Sequence, residues 1–302
     1  MKKIYSILFI VLIILTGCAT KKNSWHTDFP DTKKQAIDEK KDLLLYFSGS
    51  DWNDQCKSIK QWFFTKEFID RFSKDYVLSV VDIPKNNDAL SEKTLKENHI
   101  LFTKYEVTEV PFLILQTFEG DVYFAKIIPP EVNTVDSFSA FIAQSLPERQ
   151  KIIAARNTIR KAEGTEKALA IDDFLQIVYA SSSPRYDSLR TQVIEADPNN
   201  QTGLRGKYLF QIANIKAEAF IRVNDLISAG DAYKEAAESE FLTAEQKQSL
   251  WYQAAYTYAV SEKIATGEII DYLRKAIAVY PQGERVNQIK QVIKKLLNTK
   301  SN

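Results

Sequence analysis

The spacing of apolar residues along this chain changes once, near Pro147, and this change constrains the fold more than any other feature. Before Pro147, short apolar runs of strand length alternate with segments of helical spacing. After it the strand signal disappears, and alanine-rich segments with helical spacing take over. A chain of 302 residues is long enough for two domains of ordinary size. The sequence therefore predicts a mixed α/β domain followed by an all-α domain.

Four segments of the first half predict β-strands. They are 43–47, 76–83, 112–115 and 122–128. The turn Glu119-Gly120-Asp121 separates the last two segments, which predicts an antiparallel hairpin. The segments with a helical pattern are 31–41, the stretch around Cys56, Ile59 and Phe63, a long segment before Pro111, and 135–146. This order predicts a mixed sheet with helices on both faces.

The second half, residues 147–302, is predicted to be a stack of helical hairpins. One pair of its helices has a distinctive spacing, formed by Trp251, Ala254, Ala255 and Tyr258, then Ala276 and Pro281. This spacing resembles a repeat of the tetratricopeptide family, and the stretch 195–199 resembles a junction between repeats. The resemblance implies a concave surface that binds another protein. A plain helical bundle with aromatic core positions is the alternative.

The N-terminal residues predict export and membrane anchoring. Lys2 and Lys3 precede an unbroken apolar run at 4–15, which is well short of the ~20 residues that span a bilayer. The sequence Leu15-Thr16-Gly17-Cys18 then resembles the lipobox of bacterial lipoproteins, in which the cysteine thiol receives a diacylglycerol. The resemblance implies a signal peptide at 1–17, a lipidated Cys18 and a short tether at 18–24. An ordinary signal peptide, or an uncleaved anchor, is the alternative.

The composition excludes several classes of function. The formal net charge is +1, so nothing favours nucleic-acid binding. His26 and His99 are the only histidines, and Cys56 is the only thiol left once Cys18 is lipidated. The sequence therefore predicts no intramolecular disulfide in the mature chain, no metal site and no cofactor.

A tryptophan-containing stretch and a Val-Pro pair carry a second resemblance. The stretch Phe47-Ser48-Gly49-Ser50-Asp51-Trp52 leads into Asn53-Asp54-Gln55-Cys56, and Val110-Pro111 lies directly before a predicted strand. With these features, residues 25–146 resemble the thioredoxin family, specifically an exported bacterial branch in which such a stretch precedes a Cys-x-x-Cys motif. The resemblance implies a thioredoxin-like fold in which Pro111 is the family's cis-proline.

The resemblance also implies that dithiol chemistry is lost. In the family the first cysteine attacks a disulfide and the second resolves the mixed disulfide. Here Asn53 stands at the attacking position, where an amide is no nucleophile but is a good helix N-cap. Phe47 aligns with the buried aspartate that assists proton transfer in the family. Cys56 is therefore interpreted as a buried, inert residue, and a reactive or intermolecular thiol is the alternative.

A peptide groove is a further implication of the thioredoxin resemblance. In the family, the residue before the cis-proline offers backbone hydrogen bonds to an extended peptide, and the tryptophan before the motif forms part of the groove wall. Val110, Pro111 and Trp52 match these positions. Maintenance of the fold alone is the alternative role for these residues, and the bulky Phe112 stands where threonine is common.

These observations predict a non-enzymatic lipoprotein of the bacterial cell envelope, anchored to a membrane and facing the periplasm or the cell exterior. Its redox-inactive thioredoxin-like domain and its helical domain would bind a partner protein. One alternative is a redox protein in which Cys56 pairs with a partner's cysteine. Another is a structural spacer of the envelope without a specific ligand.

Overall fold

The computed structural model describes residues 24–86, 89–181 and 183–299. The predicted signal peptide, the lipobox with Cys18, and the tether up to residue 23 lie outside these residues. Within the described ranges, no helix is both long enough and apolar enough to cross a membrane.

The first half contains a four-stranded mixed sheet. Its strands are β1 Asp42–Ser48, β2 Tyr76–Asp82, β3 Phe112–Gln116 and β4 Val122–Ile127, in the order β2-β1-β3-β4. Strand β1 pairs parallel with β2 and antiparallel with β3. Strands β3 and β4 form the predicted antiparallel hairpin, with an irregularity in register at Leu115 and Gln116. The predicted mixed sheet is thus confirmed.

Among the described residues of the first half, five α-helices accompany the sheet. They are α1 Phe29–Glu39, α2 Asp54–Phe63, α3 Lys66–Phe72, α4 Glu92–Lys104 and α5 Val135–Ala143. Each begins after a residue whose side chain accepts a hydrogen bond from a backbone N–H of the first turn: Asp28, Asn53, Thr65, Ser91 and Thr134. These caps fix where the helices begin because the first N–H groups of a helix have no partner within it.

The sheet lies between two layers of helices. Successive residues of a strand point to opposite faces, so β1 supplies both layers. Its Leu44 and Tyr46 pack in one cluster with side chains of α2, α3 and α5, whereas Leu45 and Phe47 pack in another with side chains of α1 and α4. Every residue of β1 is buried. The strand that leads into the candidate site is therefore the most enclosed element of the domain.

The predicted helix at 135–146 is wrong at its end. The chain leaves α5 after Ala143, and a separate helix, α6, covers Leu146–Lys161. Pro147 lies in the first turn of α6, where its missing N–H would have no intrahelical partner anyway. The proline therefore begins the next helix instead of only ending the previous one.

The second half is helical throughout its described residues. After α6 follow α7 Gly164–Ile177, a short 3-10 helix Pro184–Tyr186, α8 Asp187–Ala196, α9 Leu204–Arg222, α10 Leu226–Ala237, α11 Ala244–Ser261, α12 Thr266–Val279 and α13 Val286–Thr299. Each helix from α6 to α12 packs against the helix that follows it in the chain. The predicted succession of helical hairpins is confirmed.

The pair α11 and α12 has the predicted interior. Trp251 and Tyr258 of α11 are buried, and the Trp251 ring stacks on Tyr272 of α12 with 5.7 Å between ring centroids. Ala254 and Ala276 are fully buried between the helices. Small side chains at these positions let the two helices approach closely.

The contacts between buried side chains extend across the predicted domain boundary at 146/147. One apolar cluster extends from the sheet through Ile152 of α6 to Tyr208 of α9, and a second occupies α9–α13. Two carboxylates of the first half are buried and paired with α6: Asp42 with Arg149, and Asp121 with Arg156. The first helices of the second half therefore complete the environment of the sheet, and the boundary at 146/147 stays a prediction.

Candidate functional site

The candidate site lies where β1 ends and α2 begins. Asn53 is the N-cap of α2, as its residue type predicted: its backbone is extended, and its Oδ1 accepts a hydrogen bond of 2.9 Å from the Cys56 N–H. Asp54 follows in the first turn, where the helix dipole favours a negative charge. The helix therefore starts at the position that the thioredoxin resemblance gives to the attacking cysteine.

The same Asn53 side chain also reaches the Val110-Pro111 loop. Its Nδ2 donates a hydrogen bond of 3.0 Å to the carbonyl oxygen of Val110. The peptide bond between Val110 and Pro111 is cis, as the resemblance implied. Within the described residues, the Val110 N–H makes no hydrogen bond, and Val110 is half-buried. One backbone group of the loop is thus occupied by Asn53, and the other is unpaired.

Cys56 is fully buried, at 0% exposure, one turn into α2. It lies near the hydroxyl groups of Tyr46 and Ser48, which are also buried and make no hydrogen bond within the described residues. Burial, and then the neighbouring Cys56, raise the pKa of Tyr46 well above its usual range, so this phenol stays protonated. A thiol enclosed in this way is not positioned to meet a disulfide of another molecule.

Trp52 forms an exposed wall beside the start of α2. Its side chain is 41% exposed, and its indole Nε1 donates a hydrogen bond of 2.8 Å to the Ile83 carbonyl oxygen. The Lys85 ammonium lies 5.9 Å from the ring centroid. A Cβ at Gly49 would approach the indole to 2.3 Å, so only glycine fits beneath the ring. The tryptophan is therefore held in one orientation while its outer face is open.

The loop before Trp52 is fixed by two carboxylates. Asp82 accepts hydrogen bonds from both the backbone N–H and the hydroxyl of Ser50. Asp51 accepts from the backbone N–H groups of Lys85 and Asn86, at 2.8 Å each. These backbone donors hold the pKa of Asp51 below its usual value. The stretch that the thioredoxin resemblance singled out thus forms a rigid loop.

The structure brings Asn53, Trp52 and the Val110 backbone together at one edge of the domain, but Pro111 is buried and offers no open surface. Phe112 is half-buried, and its partner across the hairpin, Ile127, is 44% exposed. The open part of the predicted groove is therefore formed by Trp52 and the Val110 amide.

The open groups of the site are a backbone N–H and an aromatic ring. Its amide has both polar atoms engaged, and its thiol is enclosed. Across residues 24–86, 89–181 and 183–299, no group of three or more His, Cys, Asp or Glu side chains is arranged to hold a metal ion. An oriented backbone donor and an exposed ring beside it can bind an extended peptide.

Sequence reasoning missed the bond between Asn53 and Val110, which are 57 positions apart. It also missed a cavity between the two halves, where Lys33, Lys104 and Arg185 converge. No local pattern marks either arrangement, because each depends on how distant segments pack.

Two protein families match parts of the chain. Residues 24–115 match the family described as thioredoxin-like. Residues 204–302, which contain α9–α13, match a family described as an uncharacterised protein C-terminal domain. The first half thus has the thioredoxin-like fold that the motif implied. The tetratricopeptide resemblance of the second half stays a prediction.

Three similar proteins put these matches in context. An uncharacterised protein of Treponema pallidum (strain Nichols) is 42% identical over 283 residues, which are 94% of this chain and 93% of that protein. The thioredoxin-related protein DsbJ of Chlamydia pneumoniae is 32% identical over 96 residues, which are 32% of this chain and 27% of DsbJ. A solved structure titled DsbH Oxidoreductase matches 39% of this chain and 81% of its own chain, with 22% identity and a TM-score of 0.36.

Proposed function

This chain belongs to the family of the Treponema pallidum protein, and we propose that it is a lipid-anchored envelope protein whose thioredoxin-like domain binds an extended protein segment without dithiol chemistry. The observation that carries the proposal is the side chain of Asn53. Its oxygen caps α2 and its nitrogen binds the Val110 carbonyl. A residue in this position serves the geometry of the groove and cannot attack a disulfide.

The backbone beside the groove supports the binding role. The Val110 N–H is a donor without a partner in the described chain, and Asn53 fixes the orientation of the loop that carries it. An extended peptide that pairs with this N–H would lie against the exposed face of Trp52. Tryptophan anchors of this kind dominate the affinity of many protein interfaces.

The helical half offers a second surface for a protein partner. A cleft of about 690 Å³ lies between α7, α8 and α9, lined by side chains that include Gln176, Lys207 and Asn214. Gln176 and Lys207 donate hydrogen bonds to Asp172, and Asn214 donates to the Phe210 carbonyl oxygen, so the amide oxygens of Gln176 and Asn214 are the groups that would meet a bound segment. We assign the helical half to the same partner as the groove, so that two weak contacts on one chain combine.

The anchor and location are proposed from the sequence. Leu15-Thr16-Gly17-Cys18 directly follows the apolar run. A diacylated cysteine contributes about 0.8 kcal/mol per buried CH₂, which makes the attachment lasting. The described domains would then face the periplasm or the cell exterior, with no role for nucleic acid.

The test of the groove uses peptides selected from a library of unstructured sequences against the full chain in detergent. Fluorescence anisotropy gives the affinity of each selected peptide. Trp52→Ala should weaken binding about tenfold or more. Hydrogen exchange measured by mass spectrometry should slow at the segment that contains Val110 when the peptide is bound.

Tyr256→Ala provides the matched control, because Tyr256 is 63% exposed and lies on α11 in the other half. It should leave the affinity unchanged. The proposal fails if no peptide binds, which would favour a structural spacer, or if the control weakens binding as much as Trp52→Ala does.

A further inference from the structure

A cavity of about 310 Å³ lies between the two halves of the chain, away from the peptide groove. Its walls come from α1, α4, the turn between β3 and β4, α6 and the 3-10 helix Pro184–Tyr186. Aromatic rings form much of the wall, namely Phe29, Tyr105 and Tyr186. The cavity is therefore enclosed by elements far apart in sequence.

Positive charge is in excess around this cavity. Lys33, Lys104 and Arg185 line it, and none of the three forms an ion pair with a described residue. The two carboxylates in the wall are already engaged, since Asp121 pairs with Arg156 and Glu119 pairs with Arg160. Three cations thus share one space without an available counter-charge.

Arg185 shows the same deficit in its hydrogen bonds. Its Nη1 donates to the Gly120 carbonyl oxygen at 2.9 Å, but its Nε and Nη2 are buried and have no partner within the described residues. In Arg156, the edge of the guanidinium formed by Nε and Nη2 binds a carboxylate. Arg156 uses Nε and Nη2 on the two oxygens of Asp121, at 2.7 and 2.6 Å. The edge that Arg185 leaves empty is therefore the one suited to two oxygens of an anion.

Tyr186 adds a further polar group without a partner. Its side chain is 1% exposed, and its hydroxyl makes no hydrogen bond with a described residue. Buried polar groups nearly always have a partner, because an unpaired one loses its hydration without compensation. A water molecule would satisfy the hydroxyl but would not balance the positive charge of Arg185, which is the half-buried cation of the three.

The pKa of Lys104 is affected by its surroundings in this cavity. Its partial burial, together with the nearby charges of Arg185 and Lys33, holds its pKa below the usual lysine value. The ammonium lies 5.6 Å from the centroid of the Phe29 ring and 5.8 Å from that of Tyr105, so ring faces supply part of its compensation. A bound anion would compensate it more strongly.

We infer that this cavity binds the oxyanion group, phosphate or carboxylate, of a small ligand, held by Arg185, Lys104 and Tyr186. The Nε and Nη2 groups of Arg185 would take two oxygens, and Lys104 would supply the second positive charge. The aromatic rings would contact the carbon skeleton of the ligand. Since the cavity is walled by both halves, its ligand would stabilise their packing.

The test measures the melting temperature of the full chain in detergent with sodium phosphate, sodium acetate or sodium chloride at equal ionic strength. Phosphate, acetate or both should raise the melting temperature in a saturable way, and chloride should not. A response to phosphate alone identifies a phosphate site, and a response to acetate alone identifies a carboxylate site. Equal melting temperatures in all three salts would overturn the inference.

Two variants locate the effect. Arg185→Gln and Lys104→Gln should each weaken the anion response about tenfold or more, since a charge-assisted hydrogen bond is lost. Lys96→Gln is the matched control, because it makes the same change on the same helix, α4, outside the cavity. If Lys96→Gln weakened the anion response as much as Lys104→Gln does, the anion would not bind in this cavity.

Selective acylation of lysines gives an independent measurement on the unmodified sequence. The anion should slow acylation of Lys104, because it raises the fraction of charged ammonium, and should leave Lys96 unchanged. Acylation of Lys104 at the same rate with and without the stabilising anion would show that the anion binds elsewhere.

Discussion

The Nδ2 of Asn53 donates a hydrogen bond to the carbonyl oxygen of Val110, and the Oδ1 of the same side chain caps helix α2. One amide thus joins the start of helix α2 to the loop that carries the cis peptide bond. A cysteine at this position has no second polar atom with which to make both bonds. The amide therefore braces the start of α2 against the loop in a way that a thiol could not.

Two substitutions separate these contributions of Asn53. Asn53→Ser keeps a capping oxygen but loses the donor to Val110, and we expect the stability of the first half to fall by about 1 kcal/mol. Asn53→Ala loses both bonds and should cost about 1 kcal/mol more. Hydrogen exchange of the α2 amides measures the effect locally, which avoids assuming two-state unfolding for the whole chain. Equal protection in both variants and the parent chain would contradict the bracing role.

Cys56 should react slowly with an alkylating reagent in the folded chain and rapidly in urea, because it is fully buried. Mass spectrometry of timed samples measures both rates. Cys56→Ser should have little effect on partner binding. Fast alkylation of the folded chain, or a mixed disulfide between Cys56 and another protein trapped in cells, would favour the single-thiol alternative.

Asn53→Cys should create a redox-active pair with Cys56. Under mild oxidation the variant should form a disulfide between positions 53 and 56, and it should reduce insulin where the parent chain does not. Asn53→Ser is the control, since serine is nearly isosteric with cysteine but supplies no second thiol. Absence of the disulfide in the Cys variant would mean that the geometry of the motif has not been kept.

A fragment that ends at Leu146 should be less stable than one that ends at Lys161. The shorter fragment lacks Arg149 and Arg156, the partners of Asp42 and Asp121, and it uncovers the apolar side chains that pack with Ile152 of α6. Removal of α6 also opens both carboxylates to water, so the loss of each arginine should cost less than the about 3–5 kcal/mol of a pair that stays buried. The cost for Asp42 should be smaller, because the Arg149 side chain is 37% exposed. Urea unfolding of both fragments checks the difference.

The full chain offers a control for this prediction. Arg156→Met should destabilise the protein, whereas Arg156→Met combined with Asp121→Asn should recover part of the loss, because no buried charge is then left unpaired. No recovery in the double variant would mean that α6 acts through apolar packing alone.

Acid should lower the stability of the helical half, because it protonates Asp172. Burial acts to raise the pKa of this carboxyl, but hydrogen bonds from Lys207 and Tyr208 outweigh it, so the pKa lies below its usual value of 3.8. A carboxyl with a depressed folded pKa stabilises the folded state fully above the unfolded value, and the contribution is lost as the pH falls through the folded pKa. Melting temperatures should therefore drop as the pH falls below about 4.

Asp172→Asn should reduce the fall of the melting temperature below about pH 4. Asp173→Asn is the control, because Asp173 is the exposed neighbour on the same helix, α7. A control that flattens the profile equally would show that a general charge effect is responsible.

Cys18→Ala should release the protein from membranes or leave an unprocessed precursor, since it removes the predicted lipidation site. Cys56→Ala should leave membrane attachment unchanged. Mass spectrometry of the native N-terminus decides between the outcomes. An unmodified Cys18 in the mature chain would rule out the lipid anchor.

Much of the fold follows from local patterns in the sequence. The predictions are wrong where capping residues decide the ends of the helices. The predicted helix at 31–41 in fact covers Phe29–Glu39, because Asp28 caps it, Pro30 lies in its first turn and Lys40 ends it in a left-handed conformation. Apolar spacing carries no information about such ends. The strands were easier to predict, because each is a short apolar run ended by polar or turn residues.

The candidate site was only partly predictable. Asparagine is a strong N-cap, so the role of Asn53 at α2 could be read from its residue type. Its bond to Val110 depends on the packing of β3 against β1, and the cluster around Arg185 depends on how the helical half meets the sheet. Those contacts exist only after the whole chain has folded.

The close approach of Gly49 to the Trp52 indole has a consequence for the history of this family. Any side chain at position 49 would overlap the ring, whose atoms lie 2.3–2.7 Å from the place of a Cβ. Position 49 can therefore enlarge only where the ring is absent or lies elsewhere, and a relative that carries a larger residue there should lack the tryptophan in this orientation. In such a relative, a change at the glycine would then mark the loss of the exposed ring.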